Sequence, residues 1–210
     1  MSIKYLTLIG YELATVLLPF FVVFAVLAQK EKQQNRATSP LHFLLLFTFA
    51  VYIAAAFYFT GAGTLFDLLR YGQEIHNGQY NFVPFSHHID VVAYVQNILL
   101  FVPLGGLLPL IWPKTDTLKS ALLSGFSFSL LIEISQLFNH RATDVDDLIM
   151  NTAGALLGYL LYKLFVRVAK WSHKRAEHPN AEPVLYIGAM FVGHFLLYNE
   201  MGLAKILYGF

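Results

Sequence analysis

The sequence predicts an all-α integral membrane protein, a bundle of about six transmembrane helices with an outward-facing polar pocket. Three observations carry that expectation. Of 210 residues, 57% are hydrophobic and only 13% charged, with a mean hydropathy of +0.56, whereas a soluble domain carries about 25% charged residues. Apolar runs recur along the chain at the length that crosses a bilayer as a helix, about 20 residues. Between two of those runs, the stretch SLLIEISQLFNHRATDVDDLIMNTAGALLG from Ser129 to Gly158 gathers acids, amides and bases that hydrocarbon would otherwise reject.

The first span is read at 6–28, interrupted by Glu12 and Pro19. It is too long for the apolar part of a cleaved signal peptide, and only Lys4 precedes it. A basic loop with Lys30, Lys32 and Arg36 leads to a second span from Leu41 to about Leu65, closing at Gly61 and Gly63. Its Tyr52, Phe57, Tyr58 and Phe59 read as packing or lipid-facing groups. The long connection 66–92 carries Arg70, the Asn77-Gly78 turn signal and an apolar Phe82-Val83-Pro84-Phe85 segment, and is expected to fold back onto the membrane surface.

The third span, 93–112, starts with Gln96 and Asn97 and contains Pro103, Gly105, Gly106 and Pro109. Prolines remove helix hydrogen bonds, so a bend or a close helix contact is expected near Pro103. The fourth span is read at 118–138 and the fifth at 147–168, where Gly154 and Gly158 stand at the spacing that lets helices approach closely. After a basic, polar linker, a sixth span at 184–208 carries His194, Asn199 and Glu200. By domain, this reads as two N-terminal helices in 1–65, an extracytoplasmic loop in 66–92, core helices in 93–168, and a cytoplasmic linker with a C-terminal helix in 169–210.

Ten of the fourteen Lys and Arg fall in the first, third and fifth connections. Positive charge favours the cytoplasmic side, so both termini, the 66–92 loop and the 139–146 turn are expected to face outward. The formal charge of +1 argues against nucleic acid as a partner, since phosphate binding needs a basic surface. With no cysteine, there is no disulfide framework or thiol nucleophile. No cofactor is expected. Asp144, Asp146 and Asp147 match no established calcium loop, nothing in the sequence fixes His87, His88 and His140 as a zinc site, and no metal is assigned.

Spacing organises the polar stretch. Ser129, Glu133, Gln136 and His140 are four, three and four residues apart and so share one face of a helix; Asp144, Asp147, Asn151, Gly154 and Gly158 repeat the pattern on the next. Glu133 and Asn151 are expected at similar depth, about 6 to 8 Å inside the helix ends at 1.5 Å per residue. A central ionised carboxylate costs about 2.5 to 3.5 kcal/mol on insertion scales, so Glu133 must be protonated, paired with Arg141 or Arg70, or open to an aqueous cavity. The bland alternative is that Glu133, Gln136, Asn97 and Asn151 only bond helices together, at about 0.6 kcal/mol each. Asp147 is also placed to cap the fifth span.

In order along residues 70–165, Asn81-Phe82-Val83-Pro84-Phe85, then Gln96-Asn97-Ile98-Leu99-Leu100-Phe101-Val102-Pro103-Leu104-Gly105, then Glu133 with Gln136, then Arg141-Ala142-Thr143-Asp144-Val145-Asp146-Asp147 with Asn151 and Gly154, the chain resembles the VanZ-like family of bacterial membrane proteins. The resemblance implies a multispan plasma-membrane protein linked to lowered susceptibility to teicoplanin-like lipoglycopeptides. Carried over by position, the candidate residues are Asn81, Asn97, Glu133, Gln136, Arg141, Asp144, Asp147 and Asn151; Arg70 joins them as a loop cation.

The leading expectation is a noncatalytic binding protein. Its ligand would be a membrane lipid, a lipid-linked cell-wall precursor or a lipoglycopeptide, held between a wall of Phe82, Phe85, Phe101 and Phe138 and the polar cluster, with Arg70 and Arg141 on a phosphate or carboxylate. The competing expectation is an intramembrane enzyme with Glu133 as general acid or base and Asp144 or Asp147 as its partner, although no HExxH or phosphate-binding loop motif is present. A third reading is a scaffold for other envelope proteins.

Overall fold

The computed structural model describes residues 3–34, 39–71, 80–86, 90–139, 143–170 and 181–209. They form eight helices and one very short strand pair: α1 Ile3–Gln33, α2 Pro40–Thr60, α3 Leu65–Tyr71, β1 Tyr80–Asn81, α4 Val91–Ile111, a 3-10 turn Pro113–Thr115, α5 Leu118–Gln136, β2 Thr143–Asp144, α6 Val145–Val168, α7 Glu182–Leu197 and α8 Glu200–Tyr208. Five helical segments are long and apolar enough to cross a membrane, and a sixth span results if α7 and α8, bent by 45° at their junction, count together. The chain is thus an α-helical multi-pass membrane protein.

Local chemistry sets the helix ends. Ser39 caps α2 by accepting from the His42 amide, and Pro40 fits the first helical position, where its missing N–H costs nothing. Gly61 ends α2 in a left-handed conformation, φ 61°, with its N–H returned to the Phe57 carbonyl. Asp90 accepts from the Val92 and Ala93 amides to start α4, and Thr117 from the Ser120 amide to start α5. For α6 the cap is Asp144, which accepts from the Asp146 amide. The expected cap, Asp147, instead sits inside the first turn, where its carboxylate is free to reach another helix.

The chain divides into two compact units, residues 1–73 with 184–210, and residues 74–183. In the first, Val16, Phe20, Phe49, Ile53, Phe57 and Met190 are fully buried. Large side chains elsewhere on the same helices are bare, Val22 at 63% and Leu44 at 58%, as lipid-facing residues of a spanning helix must be. Gly193 of α7 lies so close to α1 that an added Cβ would overlap the Pro19 ring and the Thr15 carbonyl. The helix start of α7 carries Glu182, whose carboxylate accepts from the Trp112 indole at 2.8 Å within the second unit.

In the second unit, α6 packs on α4 and α5. The α4–α6 contact is backbone against backbone. A Cβ at Gly154 would overlap the Ile98 carbonyl, one at Gly158 the Val102 carbonyl, and one at Gly105 the Ala155 carbonyl. Small residues therefore let the helices meet at carbonyl distance, as the Gly154–Gly158 spacing predicts. Of the two outcomes expected near Pro103, the close contact is present, while α4 runs as one helix through Pro103 and Pro109. Phe101 and Phe128 fill the remaining space, ring centroids 5.6 Å apart.

Candidate functional site

The polar stretch becomes a hydrogen-bonded network at the start of α4, the end of α5 and the start of α6, with the 80–86 segment joined to it. β1 and β2 pair in parallel, Tyr80 with Thr143 and Asn81 with Asp144. That pairing brings Asn81 Nδ2 to the Asp144 carboxylate, 3.2 and 3.4 Å from its two oxygens. Asn81 Oδ1 in turn accepts from the Val83 amide at 3.1 Å and the Ser86 hydroxyl at 3.0 Å. One side chain thus both folds the turn and anchors it to α6.

Asp146 completes the anchor. Its Oδ1 accepts from the Phe85 amide at 2.8 Å and its Oδ2 from the Tyr94 hydroxyl at 2.5 Å. Phe85 is held at φ 56°, in the left-handed region that a bulky residue occupies only at a cost, and the bond from its N–H is part of what holds it there. Asp147, one residue on, accepts from Asn97 Nδ2 at 2.5 Å, tying α6 to α4. Glu133 closes the ring from α5, its Oε2 accepting from the Asp144 amide at 3.3 Å.

One turn deeper, Asn151 Nδ2 donates to the Ser129 hydroxyl at 2.9 Å. Ser129, Glu133 and Gln136 are all buried, as are Asn151, Gly154 and Gly158, so these members of the two stripes turn inward. Two details differ from expectation. Asn151 meets Ser129, because the facing stripes are offset by a helical turn from the Glu133 level. Asp146, absent from the candidate site residues, is the most buried acid of the cluster at 3% exposure.

The expected aromatic wall does not assemble as one surface. Phe101 is fully buried against Phe128 in the helix core, whereas Phe82 and Phe85 lie exposed on the 80–86 turn. Phe138 follows the end of α5, half-buried. Arg70 lies in α3, in the other unit, with its side chain exposed. Arg141, like His87, His88 and His140, lies outside the described residues. Among the described residues, no group of three or more acids or histidines is placed to hold a metal ion.

What this arrangement can do follows from its atoms. Four carboxylates, on Glu133, Asp144, Asp146 and Asp147, stand at one end of α5 and α6, each receiving at least one N–H or O–H donor from protein. The opposite end of the same helices carries the Lys163–Asp116 ion pair at 3.1 Å. The unit is therefore polarised along its helices, with the acids and amides at one end and the ion pair at the other.

The network coincides with the part of the chain that has known relatives. The VanZ/LLP1 family profile matches residues 13–166. The chain is also 30% identical over 130 residues to Protein VanZ of Enterococcus faecium, an alignment covering 59% of this chain and 73% of that protein. No solved structure matches. Every residue of the network described above lies inside the family match, while α7 and α8 lie beyond it. With most of its length inside that match, the chain belongs to the VanZ/LLP1 family.

Proposed function

We propose that this protein lowers bacterial susceptibility to teicoplanin-type lipoglycopeptides from the plasma membrane, by binding an envelope lipid, a lipid-linked cell-wall precursor or the antibiotic at an outward-facing site. The termini, the 80–86 turn and the acid network then face outward, and the lysine-bearing ends of α5 and α6 face the cytoplasm. The observation that supports this reading is the tether from the turn to α6. Asn81, Asp144, Asp146 and the Phe85 amide fix an exposed pair, Phe82 and Phe85, directly beside buried carboxylates. A fixed apolar surface next to hydrogen-bond acceptors suits an amphiphile with a lipid tail and a donor-rich head.

The bonding pattern supports binding over chemistry. Asp144, Asp146 and Asp147 serve in caps and helix ties that position a surface, and no catalytic motif in the sequence directs Glu133 at a substrate. Cells expressing the wild-type chain, Glu133→Gln or Asp146→Asn at equal levels provide the test. The expected result is at least a fourfold loss of teicoplanin protection in Asp146→Asn, no change in the mass-spectrometric inventory of lipids and wall precursors in any strain, and weaker retention of teicoplanin or precursor by the purified variant. A molecular species that appears only with intact Glu133 would replace this reading with the intramembrane enzyme.

A further inference from the structure

The 80–86 turn carries bare apolar side chains on a pinned backbone. Phe82 is 72%, Val83 62% and Phe85 49% exposed. Asn81 bonds the Asp144 carboxylate and the Phe85 amide bonds Asp146, while the Val83 amide and the Ser86 hydroxyl close back on Asn81. The hydrogen bonds thus fix the turn to the start of α6 in a conformation that leaves these three side chains uncovered by protein.

The depth of the turn follows from α4. That helix has 21 residues, about 31 Å at 1.5 Å per residue, which matches the hydrocarbon core of a bilayer, about 30 Å thick. Charged residues mark both of its ends, Asp90 as the cap at one and Lys114 just beyond the other. Tyr94 stands four residues after Asp90, about 6 Å further along the helix, and Tyr94 is what the turn touches. Its hydroxyl meets Asp146, and its ring meets the Phe85 ring edge to face, centroids 6.3 Å apart. The turn is therefore seated at the edge of the hydrocarbon, where aromatic side chains of membrane proteins concentrate. From the same end of α4, Val91, Val95 and Leu99 form one exposed apolar stripe, 64, 47 and 60% bare, that leads toward the middle of the span.

We propose that the 80–86 turn is a wedge set into the bilayer, with Phe82, Val83 and Phe85 among lipid acyl chains at the edge of one leaflet. Water would leave three large apolar side chains bare on a backbone that its bonds hold in place. Lipid covers them without any rearrangement, and the exposed stripe of α4 makes lipid the solvent along the span that the turn adjoins. A consequence for the ligand rests on the binding function proposed above. With the wedge in lipid, the carboxylates that hold it are approached sideways from the leaflet, by an amphiphile whose tail stays in the membrane.

The chain has no cysteine, so single nitroxide labels can be placed in the full-length protein, reconstituted in vesicles of phosphatidylethanolamine and phosphatidylglycerol. Collision of the label with oxygen reports lipid, and collision with a water-soluble nickel chelate reports water. Val83→Cys is the probe, Leu99→Cys the lipid reference and Lys114→Cys the water reference, all three at exposed positions. The oxygen-to-nickel ratio at Val83 should be at least threefold that at Lys114 and close to that at Leu99. A ratio equal to that at Lys114 overturns the wedge, and Phe82→Cys gives the same reading if Val83→Cys does not fold. The ligand consequence is read on wild-type protein in the same vesicles, with teicoplanin and its deacylated core as probes. Retention of the acylated form alone is expected, and equal retention of both overturns sideways entry. Retention of neither, with Val83 in lipid, would sink the binding function and leave the wedge standing.

Discussion

The two units solve the same problem, polar groups in apolar helices, in opposite ways. In residues 74–183 the acids are close in sequence, from Glu133 to Asp147, and they bond nearby backbone and donors from residues 81–97. In the unit built from the two chain ends, Tyr11 meets Leu197, Tyr198 and Asn199 from the other end of the chain. The first arrangement is a framework whose acids hold a turn beside the helix ends. The second leaves one buried imidazole nitrogen, His194 Nδ1, without a hydrogen-bond partner among the described residues. That difference is why the first is read as a surface that presents groups to a ligand.

The comparison breaks most sharply at the α4–α6 contact on which the framework stands. Gly154→Leu pushes a side chain into the Ile98 backbone, which cannot swing aside. Overpacking of this kind costs about 1 to 3 kcal/mol or more, and folded protein recovered from membranes should fall several-fold. Gly106→Leu is the control, because the nearest atom to its added Cβ is the Gly158 carbonyl oxygen at an ordinary 3.7 Å, and it should be nearly silent. Equal losses in both would mean that the close approach is not what holds the second unit together.

Asp146→Ala comes next. It strands the Phe85 amide and the Tyr94 hydroxyl, each bond to a carboxylate contributing about 1.5 to 3 kcal/mol. Hydrogen exchange should rise in the 80–86 segment first, with α5 and α6 still protected. Tyr94→Phe removes one of those two bonds and keeps the ring beside Phe85, centroids 6.3 Å apart. Its effect should be about half as large, about 1.5 kcal/mol, and confined to the same segment. If Tyr94→Phe matched Asp146→Ala, the Phe85 amide would not be contributing to the tether.

Much of the helical plan was legible because hydropathy alone separates spans from connections, and Gly61 and Ser39 carry their own stop and start signals. The split of the last span at Tyr198 and Asn199 was not. Hydropathy averages over it, and the groups that stabilise it come from α1. Within the network, the 3.6-residue period found Ser129, Glu133, Gln136 and Asn151 because burial follows helix faces. It missed Asp146, which lies off the stripe of Asp144, Asp147 and Asn151 and is buried by partners 52 and 61 residues upstream, Tyr94 and Phe85. Phe101 was misplaced for a related reason. An aromatic in a span reads the same whether it meets lipid, ligand or, as here, Phe128.

The mildest change tests the first unit. Tyr11→Phe keeps the ring that packs on Tyr198, centroids 5.6 Å apart, and deletes only the hydroxyl that stitches the Leu197 carbonyl to the Asn199 amide. Hydrogen bonds inside membranes contribute about 0.6 kcal/mol each on average, so two of them amount to about 1 kcal/mol, too little to unfold the unit. The α7–α8 bend is where that energy is localised. Spin labels on α7 and α8 should show a broader distance distribution in Tyr11→Phe than in wild type. If the 45° bend is unaffected, the asparagine cap on Gly202 and the close seat of Gly193 set it without help.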